Sequence, residues 1–473
     1  MDGNTVASPA AARSANGLKS IASTTSHRFE RTARPTARPP WLRNSVPTMR
    51  LTAKLVMMMV VCSISGVIGA DWPWIYGPAR NGTSDQKGLL RTWPAEGPTV
   101  LWTAPVNRGF SGPSVRDSKV YLLDRDEAVG DRLRVFDLSN GKELWSFAYD
   151  APGGFMFPGA LSTPTVDGSH VYITGPMGDL HAIDTTTRTP IWRKNIWKDF
   201  GGGALPTYAI TQNPLLYGDL LIVATQTAQA GVVAYDKLTG EIRWQSMPLA
   251  GAAGYVTPSI VKVNGEDHLV MVMASASGRG RTARGGSING LDPLTGKVLW
   301  TYTDWQCHLP VPQAVDAGEG RVLISAAYGS GTVMIKVLKK SDGSYDVTEL
   351  FKNPDFGSHT QPPILYRDHF YAHYTTNDRS DGLVAMSMNG QIKWKTDRQP
   401  PFVRGGSILA DGLLLTTDGN TKLYLIEPDP SGLKPLSSAV VLEGGDNWAP
   451  LALVDGKLLI RGQKELKCVQ VAR

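Results

Sequence analysis

The stretch Gly231-Val-Val-Ala-Tyr-Asp-Lys-Leu-Thr-Gly-Glu-Ile-Arg-Trp244 has the pattern of a β-hairpin. Val232 to Tyr235 supply the β-branched and aromatic residues of a strand, and a second short run ends in Trp244. Between the two runs, the carboxylate of Asp236 can accept backbone N–H groups of the turn, and Gly240 suits a position with positive φ. The stretch therefore predicts two strands joined by a tight turn.

The hairpin pattern recurs along the chain. Asp137…Gly141…Trp145 and Asp292…Gly296…Trp300 keep both spacings, while two further copies are less complete. The tryptophans that end the repeats, from Trp102 onward, are 43, 47, 52 and 56 residues apart, and the next interval, 94, is twice 47. A hairpin repeated at this period indicates a propeller or solenoid, with one large aromatic wedge per repeat. The tryptophans expected to dock neighbouring blades are Trp102, Trp145, Trp192, Trp244, Trp300 and Trp394.

A second signature marks the start of each repeat: a proline, or a residue in its place, just ahead of an apolar strand. Counting these starts gives eight repeats, of which the last supplies only three strands. Thr99–Trp102, near the other end of the repeats, is the natural fourth strand, and closing the ring in this way removes exposed edges. The sequence predicts an all-β fold, an eight-bladed β-propeller of four-stranded antiparallel blades closed by an N-terminal strand. Seven blades is the alternative.

The repeat Ala234-Tyr-Asp-Lys-Leu-Thr-Gly-Glu-Ile-Arg-Trp244 resembles that of the PQQ-like (quinoprotein-alcohol-dehydrogenase-like) β-propellers. The resemblance covers roughly residues 98–473. This superfamily contains quinone-dependent dehydrogenases and also non-catalytic scaffolds, such as the outer-membrane assembly factors of the barrel-assembly machinery. The resemblance therefore implies the fold, and it implies either a scaffold or an enzyme as function.

The segment before the propeller is expected to have three parts. Residues 1–48 have the composition of a disordered leader or a misassigned start. Residues 49–70 combine a basic start, an apolar run too short for a comfortable membrane span and small residues, as in a signal peptide. An uncleaved anchor is the alternative, and Val61 ahead of Cys62 argues against lipidation. Residues 71–97 form an extension expected to pack on the propeller of residues 98–473.

Charge is concentrated in the leader. Residues 1–70 hold nine basic and two acidic side chains, which leaves 39 basic and 40 acidic ones in residues 71–473. A nearly neutral propeller lacks the positive field that attracts nucleic acid, so no nucleic-acid partner is expected. We expect a monomer exported to the periplasm or the extracellular space, which meets a membrane only through its signal peptide or a partner.

Dehydrogenases of the resembled family place a pair of adjacent cysteines against pyrroloquinoline quinone, with Ca²⁺ beside the cofactor. Cys307 and Cys468 are isolated in this sequence. The sequence therefore predicts no catalytic residue, no metal ligand and no cofactor. Pyrroloquinoline quinone with Ca²⁺, in an alcohol or sugar dehydrogenase, is kept as the alternative.

A candidate binding site follows from the symmetry of the repeat. The residues just before each innermost strand should ring one mouth of the central channel, and many of them are aromatic or basic. Such residues favour binding of a protein or a glycan, although packing between blades is an equal alternative. The expected function is an exported, non-catalytic protein-interaction scaffold; a carbohydrate-binding propeller is a second alternative. The candidate residues are Phe110, Ser111, Phe157, Tyr208, Tyr255, His308, His359, Arg404 and Trp448.

Overall fold

The computed structural model describes residues 71–279, 282–376 and 379–473, without the side chains of 376 and 379–381. These residues form eight sheets of antiparallel strands, which confirms the eight-bladed all-β propeller. In each blade the first strand is innermost and the following strands step outward. The expected leader (1–48) and signal peptide (49–70) lie outside the described residues. Within the described ranges, no helix is long and apolar enough to cross a membrane.

Two short strands, β1 (Thr83–Ser84) and β2 (Val100–Pro105), precede the first blade. Blade 3 contains the hairpin of residues 231–244, and one turn of 3-10 helix (Lys198–Phe200) precedes this blade. The strands of the first four blades are β3 (Ser114–Arg116), β4 (Lys119–Asp126), β5 (Gly130–Asp137) and β6 (Glu143–Asp150) in blade 1; β7 (Thr165–Asp167), β8 (His170–Thr174), β9 (Asp179–Asp184) and β10 (Thr189–Asn195) in blade 2; β11 (Leu215–Tyr217), β12 (Leu220–Ala224), β13 (Val232–Asp236) and β14 (Ile242–Gln245) in blade 3; and β15 (Ser259–Val263), β16 (Glu266–Met273), β17 (Ser287–Leu291) and β18 (Val298–Tyr302) in blade 4.

The second half of the ring repeats the same order. Its last blade takes β2 as the outermost strand, beside β33, as the sequence predicts. The strands are β19 (Val315–Asp316), β20 (Arg321–Ala326), β21 (Gly331–Lys339) and β22 (Tyr345–Asn353) in blade 5; β23 (Ile364–Tyr366), β24 (His369–Thr376), β25 (Arg379–Ser387) and β26 (Ile392–Lys395) in blade 6; β27 (Ser407–Ala410), β28 (Leu413–Thr417), β29 (Lys422–Glu427) and β30 (Lys434–Val440) in blade 7; and β31 (Ala452–Val454), β32 (Lys457–Arg461) and β33 (Glu465–Gln470) in blade 8.

The hairpin of blade 3 shows why the repeat needs its aspartate and its glycine. The carboxylate of Asp236 accepts the N–H groups of Leu238 and Thr239, both at 3.0 Å, which closes the turn. Gly240 has φ +71°, and a Cβ there would lie 2.7 Å from the ring of Trp192. The turn glycine of one blade is therefore the seat of the tryptophan from the blade before it.

The same seat recurs around the ring. Trp102 lies on Gly141 and Trp244 on Gly296, so that each joins its blade to the next one. The indole N–H of Trp244 donates to the Pro293 carbonyl at 3.2 Å, which satisfies its polar group. In blade 5, Phe351 takes the place of the tryptophan and lies on Gly390.

The N-terminal extension crosses the innermost strands. Trp72 pairs with Val115 of blade 1, and the Pro73 carbonyl accepts the N–H of Val166 in blade 2. Further along, β1 pairs in parallel with β27, the innermost strand of blade 7. We call residues 71–84 the axial strap. Arg80 of the strap also donates to the Leu216 carbonyl of blade 3, which is opposite blade 7 in a ring of eight, so the axial strap lies across the central channel.

Candidate functional site

A cavity of about 160 Å³ lies at the mouth of the central channel, where the innermost strands begin. Its wall comes from the loops that lead into these strands, and its floor is the axial strap, through Ile75 and Tyr76. The residues that line it are Ile75, Tyr76, Phe110, Phe157, Leu161, Tyr208, Thr211, Asn213, Tyr255, Thr257, Leu309, Val311, Tyr328, His359, Thr360, Gln361, Trp448 and Pro450.

The aromatic side chains of this wall touch one another in an arc that runs from blade 8 to blade 4. The ring centroids of Trp448 and Phe110 lie 5.1 Å apart, and those of Trp448 and Phe157 lie 5.4 Å apart. Phe157 stacks on Tyr208 at 5.4 Å, and Tyr208 meets Tyr255 edge-on at the same distance. These spacings are those of attractive aromatic pairs, so that the arc is a preorganised apolar surface.

A cation and a neutral imidazole complete the opposite side of the mouth. The guanidinium of Arg404 lies 4.5 Å from the ring centroid of Trp448, and its Nε donates a hydrogen bond to Nδ1 of His359. Burial, and then the positive charge of Arg404, lowers the pKa of His359 to about 3. His359 is therefore a neutral acceptor at physiological pH, and Arg404 carries the charge of this side.

The floor is held by polar contacts to the axial strap. The Tyr76 hydroxyl donates to the Thr360 carbonyl at 3.5 Å, and burial raises the pKa of Tyr76 well above its usual value. On the wall, the carboxamide of Asn213 accepts the N–H of Thr163 at 2.5 Å and donates to Thr257 Oγ1 at 2.9 Å. Because these groups already have partners inside the protein, the surface that the cavity offers to a ligand is mainly aromatic and aliphatic.

Six of the nine residues proposed from the sequence line this cavity: Phe110, Phe157, Tyr208, Tyr255, His359 and Trp448. The other three lie outside its lining. Ser111 is fully buried, and its N–H donates to the Ala160 carbonyl at 3.1 Å. His308 packs against Tyr328 with ring centroids 5.8 Å apart, while Arg404 lies over Trp448.

Besides neighbours of the proposed residues in the loops that lead into the innermost strands, two groups of lining residues come from elsewhere in the chain and were not predicted. Tyr328 lies in the loop between β20 and β21 and not ahead of an innermost strand, although strand alternation brings that loop to the same end of the blade. Ile75 and Tyr76 belong to the axial strap, whose sequence shows no periodicity that would place it in the channel. The aromatic side chain of Tyr328 could have marked it as a lining residue, whereas nothing in the sequence of the strap indicates that it enters the channel.

The lining of the cavity differs from that of a common Ca²⁺ site. None of the described residues lining the cavity is an aspartate or glutamate, the side chains that Ca²⁺ sites commonly use. In the described ranges, no group of three or more acidic, histidine or cysteine side chains is arranged to hold a metal ion. Cys307 and Cys468 are buried free thiols, and burial raises the pKa of each to about 12.

Comparison with known sequences finds short stretches of similarity to several kinds of protein. The outer membrane protein assembly factor BamB of Escherichia coli (strain K12) is 30% identical over 108 residues, which make up 21% of this chain and 26% of that protein. A quinoprotein ethanol dehydrogenase of Pseudomonas aeruginosa is 28% identical over 160 residues, or 33% of this chain and 24% of that protein. The chain thus matches about a quarter of the length of these relatives.

Solved structures share the propeller at low sequence identity. BamB from Moraxella catarrhalis is 14% identical with a TM-score of 0.52, and the match covers 79% of this chain and 99% of that one. Quinohemoprotein alcohol dehydrogenase from Comamonas testosteroni is 15% identical with a TM-score of 0.58, covering 85% and 81%. At such identity the likeness shows the fold alone.

Family assignment rests on a longer match. The family described as "Outer membrane protein assembly factor BamB" matches residues 130–396, which is more than half of the chain and spans the repeats from blade 1 to blade 6. The chain therefore belongs to the family of the outer membrane protein assembly factor BamB.

Proposed function

We propose that this protein is an exported, non-catalytic propeller scaffold that docks partner polypeptides at its aromatic mouth. The observation that carries the proposal is the arc from Trp448 through Phe157 to Tyr255, which presents stacked rings around a closed floor. Large aromatic side chains in a preformed hollow are the usual anchors of protein interfaces. Membership of the assembly-factor family supports the same function.

The size and chemistry of the cavity favour an apolar side chain as its occupant. A volume of about 160 Å³ admits one large side chain, and the axial strap prevents a chain from threading through the channel. A sugar carries many hydroxyl groups that need partners on burial, whereas Asn213 and Thr257 are already bonded to each other. The carbohydrate-binding alternative is therefore less well supported than a polypeptide.

A quinone-dependent dehydrogenase is the second candidate, because sequence relatives and solved structures of that kind share the repeat. The lining argues against it, since it offers no carboxylate for Ca²⁺. Isolated, buried Cys307 and Cys468 also differ from the adjacent pair that the resemblance implies.

A cofactor titration separates the two candidates. Residues 71–473 are titrated with pyrroloquinoline quinone and Ca²⁺ while tryptophan fluorescence and dye-linked alcohol oxidation are followed together. The scaffold proposal predicts no saturable quenching and no turnover. Calcium-dependent binding with turnover would overturn it and make the mouth an active site.

The same preparation is then tested against ligands. A display library of apolar and aromatic peptides and a glycan array are probed with the native protein and with the Tyr208→Ala variant. The proposal predicts peptide binding that the variant loses. If the native protein binds glycans but no peptides, and the variant loses glycan binding, the mouth is a carbohydrate-binding site and the proposal is wrong.

A further inference from the structure

The mouth of the channel has two halves of different chemistry. Blades 8 and 1 to 4 supply the aromatic arc, which runs from Trp448 to Tyr255. Blades 5, 6 and 7 supply His308, His359 and Arg404 in the loops that precede β19, β23 and β27. Because a guanidinium stays protonated at any physiological pH, Arg404 gives this second half a permanent positive charge.

The guanidinium of Arg404 is held in place but is not neutralised. Its Nε donates to Nδ1 of His359, and it lies over the ring of Trp448. In the part of the chain that the structure describes, no carboxylate forms an ion pair with Arg404, and its two terminal nitrogens donate no hydrogen bond. The side chain is only half-buried. Arg404 therefore offers a fixed pair of donors, and such a pair matches the two oxygens of a carboxylate.

The charge lies beside the cavity. His359 and Trp448, which hold Arg404, also line the cavity. The cavity has room for one large side chain, and Ile75 and Tyr76 of the axial strap close its floor. A group that fills the cavity therefore comes to lie next to the guanidinium. The chemical complement of the mouth is a large apolar group with a carboxylate beside it.

The last residue of a polypeptide has this combination. Its side chain and its α-carboxylate are attached to the same Cα, so that both can enter the mouth together. Within an extended chain, neighbouring side chains point to opposite sides, so an acidic residue next to an apolar one would point away from the mouth. The closed floor also prevents a chain from passing through, whereas a chain end needs no exit.

We propose that the mouth binds the C-terminal residue of a partner polypeptide, with a large apolar side chain in the cavity and the α-carboxylate on the terminal nitrogens of Arg404. This inference rests on the function proposed above, because it names the part of the partner that the mouth binds. A segment from the interior of a partner would fill the cavity but would leave Arg404 without an anion. The contribution of Arg404 to binding therefore distinguishes a chain end from an internal segment.

Peptides that differ in their carboxylate test the proposal. The probes are fluorescein-labelled Gly-Ser-Gly-Ser-Gly-Phe with a free C-terminal carboxylate, the same peptide as its C-terminal amide, and an amide in which aspartate replaces the last glycine. Fluorescence anisotropy measures the binding of each probe to the native protein. The free acid should bind about tenfold more tightly than either amide, because it alone places a carboxylate on Arg404.

Two arginine variants assign the preference to its residue. Arg404→Gln should lower the affinity for the free acid to that for the amide and leave binding of the amide unchanged, which also shows that the variant is folded. Arg108→Gln is the matched control, because Arg108 is an exposed arginine in the blade 1 loop that carries Phe110. This second variant should keep the preference for the free acid.

Each contrary outcome is distinct. Equal binding of the free acid and the amide to the native protein would overturn the proposal; if Tyr208→Ala then abolished both, the polypeptide-docking mouth would stand without it. A preference that survives Arg404→Gln, or that Arg108→Gln removes equally, would overturn it too. So would equal binding of the free acid and the aspartate-containing amide, since an internal carboxylate would then suffice. If none of the three peptides binds, the proposal is wrong, while the display library decides separately whether the mouth binds internal segments.

Discussion

At the scale of single residues, the propeller depends on an aromatic ring seated on the next blade's turn glycine. Trp244 is buried and lies on Gly296, with its N–H bonded to the Pro293 carbonyl. Phe351 shows that a phenyl ring can occupy the equivalent seat on Gly390. The ring is thus the essential part of the contact, and the indole N–H is an addition to it.

This contact predicts a graded effect of substitution. Trp244→Ala should lower the free energy of unfolding by about 3–5 kcal/mol, because it leaves a cavity between two blades. Trp244→Phe should lower the free energy of unfolding by only about 1 kcal/mol for the lost hydrogen bond, plus a small loss of packing. Urea denaturation of both variants measures the difference, and equal losses would contradict the account.

Buried histidines predict how stability depends on pH. His373 accepts the N–H of Gly405 at Nδ1 and lies 2.9 Å from Thr416 Oγ1 through Nε2, and burial lowers its pKa to about 3. The unfolded chain therefore binds more protons than the folded one between about pH 6.5 and pH 3. Unfolding free energy should be constant above this window and fall as the pH drops through it.

Denaturation midpoints at pH 7.5 and pH 4.5 test this dependence. The native protein should lose stability at the lower pH, and His373→Gln should lose less than the native protein does over the same interval. His369→Gln is the matched control, because His369 starts the same strand but is only partly buried. A His373→Gln variant with an unchanged pH dependence would show that this imidazole is not the responsible group.

At the scale of elements, a buried arginine closes the ring. Arg461 of β32 donates to the carbonyls of Ser111, Leu123 and Asn107 at 3.0–3.1 Å, and its guanidinium lies 3.5 Å from Asp124. The Arg461 side chain is fully buried, so water cannot replace its hydrogen bonds if the side chain is removed. Blade 8 is therefore joined to blade 1 by polar contacts as well as by strand pairing.

Removing this arginine should be costly. Arg461→Met should lower the free energy of unfolding by about 3–5 kcal/mol, since it removes the donor of three buried carbonyls and one of the two guanidinium groups beside the buried Asp124, which keeps Arg134. Arg132→Met is the control: its ion pair with Glu143 is 2.7 Å long but half-exposed, and its loss should cost less than about 1 kcal/mol. Similar losses in the two variants would contradict the role of Arg461.

At the scale of the whole molecule, the ring of blades could be predicted from the sequence, whereas the axial strap could not. The repeated spacing of Asp236, Gly240 and Trp244 predicts the blades, because the turn glycine seats the ring of the blade before it, as Gly240 seats Trp192. Thr99–Trp102 could be assigned as the closing strand because the last repeat lacked one. The axial strap makes its contacts over long distances in sequence, such as that of Arg80 with the Leu216 carbonyl, and local pattern carries no trace of them.

Only part of the candidate site could be predicted from the sequence. Symmetry located Phe157 and Tyr208, since the loop before each innermost strand must reach the mouth. Symmetry could not show that Ser111 is buried, with its backbone N–H bonded to the Ala160 carbonyl, nor that Ile75 closes the floor. Those outcomes depend on packing between segments far apart in the chain.

The most direct test of the central claim is photo-crosslinking from the mouth in the native organism. Met156 is exposed beside Phe157 at the mouth, whereas Leu238 is exposed in a β13–β14 turn, which strand alternation places at the opposite end. With p-benzoylphenylalanine at either position, we predict discrete polypeptide adducts from 156, absent from 238 and lost on Tyr208→Ala. No adduct from 156, the same adducts from 238, or adducts that persist in Tyr208→Ala would contradict a polypeptide-docking mouth.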